Sequence, residues 1–205
     1  MVADVRISII MPTVGANTLQ RALGALEGAG LAGDDELILV GDGDPHGVED
    51  MLAAASINAT CRYAPLVPQG GCVGQPARNY GMGLATGTHL VFTQDDQMMM
   101  PNAIAGIRRV VAEVPDAPHI FRVIPHCRAV VPIENFAAEG AIDGDCIVPP
   151  NDDKLGQWGM RYNGDWDFIR ETLVNHDSVV FHAELISCEE SMYNRVLTWK
   201  DVRRF

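Results

Sequence analysis

The sequence lacks a hydrophobic run long enough to cross a membrane as a helix. Such a helix needs about 20 consecutive apolar residues, and no apolar run in the chain approaches that length. The first twelve residues carry an acidic residue and then an apolar strand pattern, which is not the layout of a signal peptide. We therefore expect a cytoplasmic protein without a transmembrane segment.

Paired cysteines are also missing. The five cysteines are scattered and form neither a CxxC pair nor a zinc-binding spacing. They are Cys61, Cys72, Cys127, Cys146 and Cys188. An odd number without a framework indicates reduced thiols in a reducing compartment, and it argues against a structural zinc site.

Positive charge is scarce. The chain has 15 lysines and arginines against 27 aspartates and glutamates, a net charge of −12. This balance argues against a protein that binds nucleic acid through its phosphates. An acidic protein that binds a phosphorylated compound is expected to offset the repulsion with a divalent cation. The length of 205 residues predicts a single domain with a substantial core.

Residues 1–100 alternate between short apolar strands and segments with helical periodicity. The predicted strands are 6–12, 35–40, 59–63 and 88–93, and the predicted helices are 19–27, 48–55 and 76–86. With right-handed crossovers, this order predicts an α/β fold with a doubly wound, mostly parallel sheet flanked by helices.

The pattern is weaker in residues 101–205. The predicted helices are 102–114 and 164–174, and the predicted strands are 120–124, 129–133 and 178–181. Residues 134–156 are typical of a loop, and loops over a site are common in enzymes. We expect the methionines Met98, Met99 and Met100 to fill the core.

Polar residues follow three of the predicted strands. Thr13, Asp42 and the pair Asp95 and Asp96 fall at the edge where parallel sheets bind ligands. Two adjacent carboxylates repel each other, and hard oxygen ligands suit Mg²⁺ or Mn²⁺. The alternative is an ordinary Asp-Asp turn that ends a strand.

Four segments together carry a family resemblance. They are residues 7–26, 36–45, 77–97 and 163–169, and in order they contain ISIIMPT, ELILVGDGDP, ARNYGMGLATGTHLVFTQDDQ and NGDWDFI. On these segments the chain resembles the family 2 glycosyltransferases of the GT-A fold. The resemblance implies that 1–100 is the nucleotide-sugar-binding half and that 101–205 is a short acceptor-side half.

The resemblance also implies which side chains bind the donor nucleotide. They are Pro12, Thr13, Asp42, Arg78 and Asp95. Asp42 would accept a hydrogen bond from the base, although Gly41 replaces the first acid of the family's Asp-Asp-Gly turn. An arginine at position 78 suits phosphate and carbonyl groups, because its guanidinium presents a fork of donors. A surface charge on the helix is the other interpretation of Arg78.

A divalent cation, Mn²⁺ or Mg²⁺, is implied as cofactor. Asp96 aligns with the second acid of the family's metal motif and Gln94 with the first, so Asp96 is the predicted metal ligand and Asp95 would contact the ribose or a metal-bound water. His182 is a further candidate ligand, because some relatives contribute a histidine from this region. An ordinary surface or core histidine is the alternative for it.

The acceptor side depends on residues near position 165. Asp165 matches the catalytic base of inverting members, which takes the proton of the acceptor hydroxyl. Asp167 is the rival base, and Asp165 also suits a helix N-cap. Trp158 would offer a face to a sugar ring, and Trp166 would pack beneath the base.

Taken together, the resemblance implies a metal-dependent, inverting glycosyltransferase that uses a nucleotide-diphosphate sugar, with UDP as the expected nucleotide. The acceptor is open: a glycan, a protein or another compound, with the net charge arguing against nucleic acid. Two alternatives remain. One is a non-catalytic protein that binds nucleotide sugars or glycans on a degenerate scaffold. The other is a sugar nucleotidyltransferase, although the first loop lacks that enzyme's basic residues.

Overall fold

The computed structural model describes residues 4–126, 129–198 and 203. The first sheet has four parallel strands in the order β3-β2-β1-β4. The strands are β1 (Ile7–Thr13), β2 (Glu36–Asp42), β3 (Thr60–Leu66) and β4 (His89–Phe92). They alternate with α1 (Leu19–Glu27), α2 (Val48–Ala54) and α3 (Gln75–Leu84). The predicted α/β class and the order of these elements are confirmed.

A second sheet, of mixed direction, contains residues that follow β4. Its strands are β5 (Gln97–Met99), β6 (His119–Ile124), β7 (Ile147–Val148) and β8 (Val180–Glu189), in the order β5-β8-β6-β7. Strand β8 runs parallel to β6 and antiparallel to β5. The helices of this half are α4 (Ala103–Val111), α5 (Gly164–Asn175) and α6 (Tyr193–Val196).

Hydrogen bonds and a shared core connect the two sheets. The amide of Leu90 in β4 donates to the carbonyl of Pro149, and the amide of Asn151 donates to the carbonyl of Thr88. One apolar cluster contains residues of both sheets, with Phe92, Phe121 and Phe168 fully buried. The three methionines at 98–100 are buried in this cluster, so their predicted core role is confirmed.

The structure differs from the sequence expectation at residues 129–133. The segment 129–133 is not a strand, because Val131 forms only an isolated antiparallel bridge with Val123. The four cysteines that the structure describes are free thiols, as expected, and Cys127 lies outside the described residues. Within the described part of the chain, no helix is both long and apolar enough to span a bilayer.

Candidate functional site

The ends of the parallel strands border a cavity of about 270 Å³, the strand-edge cavity. Strand β1 ends at Thr13 and β2 at Asp42, and Asp95 follows the end of β4. The structure brings together in its wall all five residues predicted to bind a nucleotide: Pro12, Thr13, Asp42, Arg78 and Asp95. This is the edge where open α/β sheets bind their ligands.

Thr13 and Asp95 are joined directly. The hydroxyl of Thr13 donates to Oδ2 of Asp95 at 2.6 Å and accepts from the amide of Gly15 at 2.9 Å. Thr13 itself is buried. The bond fixes the Asp95 carboxylate at the cavity wall and uses one of its oxygens.

Asp42 holds the loop that follows β3. Its Oδ1 accepts from the amides of Gly70 and Gly71 at 2.7 and 3.1 Å, and its Oδ2 accepts from Gly71 at 3.1 Å. A carboxylate bonded in this way fixes the backbone beside it. Asp42 therefore lines the cavity while supporting the Gly71–Gly74 wall, a role that the sequence did not indicate.

That wall has an unusual backbone. Cys72 and Val73 adopt positive φ angles of 50° and 56°, a region that costs energy for residues with a Cβ and that recurs at functional sites. Helix α3 begins immediately afterwards at Gln75. The amide of Gln75 donates to the carbonyl of Cys72 and Pro76 has no amide, so the attraction for an anion here comes from the helix dipole and the charge of Arg78. The strand-edge cavity thus has an anion-attracting side.

Arg78 on α3 lines this cavity and a neighbouring one. Its guanidinium lies over the ring of Trp158, 4.8 Å from the centroid, and Nη1 donates to the carbonyl of Val73 at 2.9 Å. The residue is only 4% exposed, and its Nε has no hydrogen-bond partner. Arg78 is a buried residue of the shared wall, so the interpretation as a surface charge does not hold.

The neighbouring cavity measures about 230 Å³ and is lined by three carboxylates, those of Asp143, Asp145 and Asp165. We call it the acidic cavity. It shares Arg78 and Gln94 with the strand-edge cavity. Asp143 and Asp145 lie at a 3₁₀ turn between residues 144 and 146, where Oδ1 of Asp143 accepts from the amide of Asp145 at 3.0 Å.

Burial and mutual repulsion raise the pKa of two of these acids. Asp145 is 1% exposed; burial, and then the nearby Asp143, hold its pKa well above the ordinary value. Burial and the charge of Asp143 also raise the pKa of Asp165. The amide of Gln94 donates to Oδ2 of Asp145 at 3.2 Å, while Oδ1 has no partner. Carboxyl groups with raised pKa values are frequent at catalytic sites.

The two candidate bases differ in their surroundings. Asp165, in the first turn of α5, lines the acidic cavity. Asp167 instead accepts two bonds of 2.7 Å from Arg161, and this pairing lowers the pKa of its carboxyl. A carboxylate held in a fork by an arginine is a poor proton acceptor. The geometry favours Asp165.

Asp96, the predicted metal ligand, lines neither cavity, but one of its carboxylate oxygens lacks a partner. Its Oδ1 is buried without a partner, and Oδ2 lies 3.1 Å from Nε2 of His126. Burial raises the pKa of Asp96, and the neighbouring Asp95 adds to the rise. The described residues contain no group of three histidines, cysteines or acids that could hold a metal alone. Mg²⁺ in phosphate-binding sites usually has only one or two carboxylate ligands.

His182 is not near Asp96. Gln97 pairs with Glu189, and His182 lies seven residues earlier in β8, which is about 20 Å along a strand. Its Nε2 lies 2.8 Å from Nδ1 of His119, and its ring stacks on Phe121. The structure thus places His182 in an imidazole pair, away from the candidate cation site.

The two tryptophans belong to the apolar core. Trp158 is 2% exposed, stacked on Phe168 at 4.8 Å and covered by the guanidinium of Arg78. It lines the acidic cavity, but its ring has no free face for a sugar. Trp166 is partly buried against the core and lines neither cavity.

Sequence reasoning did not find several residues of the acidic cavity, among them Asp143, Asp145, Gln75 and His126. The one local signal is the Asp-Gly-Asp run before the apolar pair Ile147 and Val148. Two acids flanking a glycine at the start of a strand could have suggested a turn that presents carboxylates.

No protein-family model matches the sequence, and no curated protein matches it at a significant level. Solved structures do match. A structure of S. aureus TarS (residues 1–349) in complex with UDP is 12% identical, with a TM-score of 0.74 over 89% of this chain and 60% of that one. The same fragment of TarS in complex with UDP-GlcNAc matches at 10% identity and a TM-score of 0.71, covering 89% and 58%.

A third match is the mannosyltransferase PcManGT from Pyrobaculum calidifontis, in complex with GDP-Man and Mn²⁺. It is 14% identical, with a TM-score of 0.68 over 92% of this chain and 57% of that one. The chain spans about six tenths of the length of these structures. At these identities the likeness concerns the backbone. The chain therefore shares the fold of these glycosyltransferases.

Proposed function

We propose that the chain transfers a sugar from a nucleotide-diphosphate donor to an acceptor hydroxyl with inversion, as a family 2 glycosyltransferase. The observation that carries the proposal is the pair of adjoining cavities, which share Arg78 and Gln94. One of them has an anion-attracting wall, and the other has a carboxyl group suited to act as a base. Residues 1–100 form the donor-binding half and 101–205 the acceptor-side half.

The donor binds in the strand-edge cavity, and we take it to be a UDP-sugar. Thr13, Asp42 and Asp95 surround the nucleoside, and the charge of Arg78 together with the dipole of α3 attracts the diphosphate. In support, the similar structures of TarS and PcManGT are complexes with UDP, UDP-GlcNAc and GDP-Man.

Asp96, with its unpartnered Oδ1, would hold a divalent cation against the diphosphate. Mn²⁺ or Mg²⁺ bound there would offset the negative charge that develops on the leaving group. The Mn²⁺ in the PcManGT complex supports a divalent cation beside the donor.

The sugar and the acceptor meet in the acidic cavity, with Asp165 as base. The acceptor oxygen forms a bond to the anomeric carbon while the bond from that carbon to the diphosphate breaks. The diphosphate leaves with the electron pair, and Asp165 takes the proton of the acceptor hydroxyl. Its raised pKa brings this carboxyl closer to the range in which a general base is effective.

Calorimetric titration of UDP, GDP and their common sugar conjugates tests the donor site, once with Mn²⁺ and once with EDTA. We expect one nucleotide to bind in a metal-dependent manner. Asp96→Ala should weaken that binding about tenfold or more, whereas Asp116→Ala, an exposed carboxylate outside both cavities, should not change it. If no nucleotide binds under either condition, the proposal is wrong.

A second candidate function is binding of a nucleotide sugar without transfer. Two features favour it: Gly41 and Gln94 stand where the family has acids, and both oxygens of Asp42 are used by backbone amides. A measurement of whether the bound donor is hydrolysed or transferred decides between a glycosyltransferase and a protein that only binds the nucleotide sugar. Turnover that Asp165→Asn abolishes while binding persists supports the enzyme, and binding with no turnover across a panel of acceptors supports the second candidate.

A further inference from the structure

Among the residues that the structure describes, the carboxylates that line the acidic cavity outnumber its one arginine. Asp143, Asp145 and Asp165 line it, and none of them forms an ion pair with any residue that the structure describes. Arg78 places one positive charge beside them, which favours the charged forms of Asp145 and Asp165 but is outnumbered by the three carboxylates. A half-buried carboxylate without a counter-charge attracts a cation and repels an anion.

Independent of these charges, four buried polar atoms of cavity-lining side chains lack a partner. Two are acceptors, Oε1 of Gln75 and Oδ1 of Asp145, and two are donors, Nε of Arg78 and Nε1 of Trp158. All four residues are at least nine-tenths buried. Buried polar groups in native proteins nearly always have a partner, so these atoms indicate a ligand with both donors and acceptors.

A third cavity, of about 230 Å³, adjoins the acidic cavity and shares Asp143, His126 and Tyr162 with it. We call it the outer cavity. Its other lining includes the apolar side chains of Val131 and Ile142. Tyr162 is 84% exposed at the boundary, where its ring can contact a ligand that extends from one cavity into the other.

We propose that the acceptor is an amine-bearing alcohol, such as an amino sugar. Its ammonium lies against Asp143, its reacting hydroxyl lies at Asp165, and its remaining body extends into the outer cavity. An ammonium supplies three donors and a compensating charge, and a hydroxyl supplies both a donor and an acceptor. The inference rests on the proposed function for the role of the hydroxyl, but the preference for a cation can be measured without transfer.

A divalent cation is the competing occupant of a cluster of carboxylates. Mn²⁺ and Mg²⁺ bind oxygen ligands and cannot accept a hydrogen bond from a donor. Two of the unpartnered atoms at this cavity are donors, Nε of Arg78 and Nε1 of Trp158. A bound metal ion would leave both of them without a partner. The observations therefore favour an organic cation over a metal ion.

The test is a set of ligands that differ mainly in charge, titrated into the full chain with and without UDP and followed by ligand-observed NMR. The ligands are glucosamine, glucose, N-acetylglucosamine and glucose 6-phosphate. We expect glucosamine to bind about tenfold more tightly than glucose, the effect of one charge-assisted contact. N-acetylglucosamine should resemble glucose, and the phosphate should bind most weakly.

Asp143→Asn should bring glucosamine and glucose to within about twofold of each other. Asparagine keeps the oxygen that accepts from the amide of Asp145, so the turn is preserved. Asp153→Asn, which removes an equal charge from an exposed position, is the matched control and should keep the preference.

Equal binding of glucose and glucosamine overturns the inference, as does absence of binding by all four ligands. An amine preference that persists in Asp143→Asn also overturns it. The inference is overturned as well if the wild type binds Mn²⁺ and Asp143→Asn abolishes that binding. UDP binding in the same samples separates the two proposals. Binding of UDP without an amine preference leaves the transferase proposal intact, whereas an amine preference without UDP binding leaves only the cation site.

Discussion

The hydroxyl of Thr13 donates a hydrogen bond of 2.6 Å to Oδ2 of Asp95, so that the ends of β1 and β4 are joined at the wall of the strand-edge cavity. Thr13→Val keeps the branched shape and removes this bond. We expect the free energy of unfolding to fall by about 1–2 kcal/mol, because a buried bond to a carboxylate is lost. Nucleotide affinity should fall as well, since Asp95 is no longer fixed.

Thr60→Val is the control for this substitution. Thr60 lies exposed at the start of β3, where valine has a similar strand propensity. Urea denaturation of the two variants compares them directly. Equal midpoints for Thr13→Val and Thr60→Val would contradict a structural role for the Thr13–Asp95 bond.

The next prediction separates the two acids of α5. Asp165→Asn should lower transfer by at least about 100-fold while donor binding remains, because it removes the proposed base. Asp167→Asn should leave transfer within about threefold and cost less than about 1 kcal/mol, the usual worth of an exposed ion pair with arginine. Rates with saturating donor provide the measurement. The reverse ranking would make Asp167 the base.

Asp145 is expected to destabilise the fold at neutral pH. Its pKa is higher in the folded chain than the ordinary value of 3.8, so above that pH the folded state binds more protons than the unfolded state. Stability therefore falls as the pH rises from 3.8 toward the folded pKa. Asp145→Asn removes this loss and should stabilise the chain at pH 7. The melting temperatures at pH 5 and pH 8 should differ less in Asp145→Asn than in the wild type.

If Asp145→Asn proves less stable than the wild type at pH 8, the carboxyl is stabilised by a partner that the geometry does not show. Transfer activity should fall in the same variant even though the fold gains stability. Such opposition is common where a site keeps an unfavourable group for its function.

Gly144 permits the close approach of Trp158 to the 3₁₀ turn. A Cβ at this position would lie 2.4 Å from the indole ring. Gly144→Ala should therefore displace Trp158 and lower stability by about 1–3 kcal/mol. Gly83→Ala, in the open face of α3 with no atom within 4 Å, should raise stability by about 0.5–1 kcal/mol. The melting temperatures of the two variants distinguish these outcomes. Equal melting temperatures would show that the turn at Gly144 can relax around the added methyl group.

The imidazole pair of His119 and His182 predicts acid sensitivity. Burial lowers the pKa of both rings below 6.5. Below pH 6.5 the unfolded chain takes up protons that the folded chain refuses, so stability declines with falling pH until the folded pKa values are reached. His182→Phe keeps the stack on Phe121 and removes one titrating ring. Urea midpoints at pH 5.5 and pH 8 should differ less in the variant than in the wild type.

The first sheet was predictable because its signals are local. Strands β1 and β2 are almost uninterrupted apolar runs, and glycines or turn residues separate them from the helices. The placement of Thr13, Asp42 and Asp95 at one edge followed from the topology alone. In this half, the backbone pattern determines which side chains meet.

The second sheet was not predictable in the same way. Strand β7 has two residues, too few for a periodic pattern, and β8 is ten residues long where only 178–181 were expected. Residues 182–189 include charged side chains that obscure the alternation. In the segment 129–133, Pro132 has no amide to donate to a ladder.

The acidic cavity was missed for a related reason. Gln94 and Asp145 are 51 residues apart in sequence, and the bond between them exists only once β7 has packed beside β6. Asp143 and Asp145 stand on a turn that the tertiary structure creates. No local propensity predicts such a meeting.

Asn79 exchanges two hydrogen bonds of 3.0 Å with the backbone of Trp158, and Arg78 covers the indole of the same residue. The two cavities therefore have a common, rigid partition that carries one positive charge. On the proposed function, a diphosphate bound on one side offsets this charge, so that the carboxylates on the other side attract a cation more strongly. We therefore expect positive coupling between the two sides, and because such coupling is reciprocal, an amine should raise the affinity for the nucleotide by the same factor.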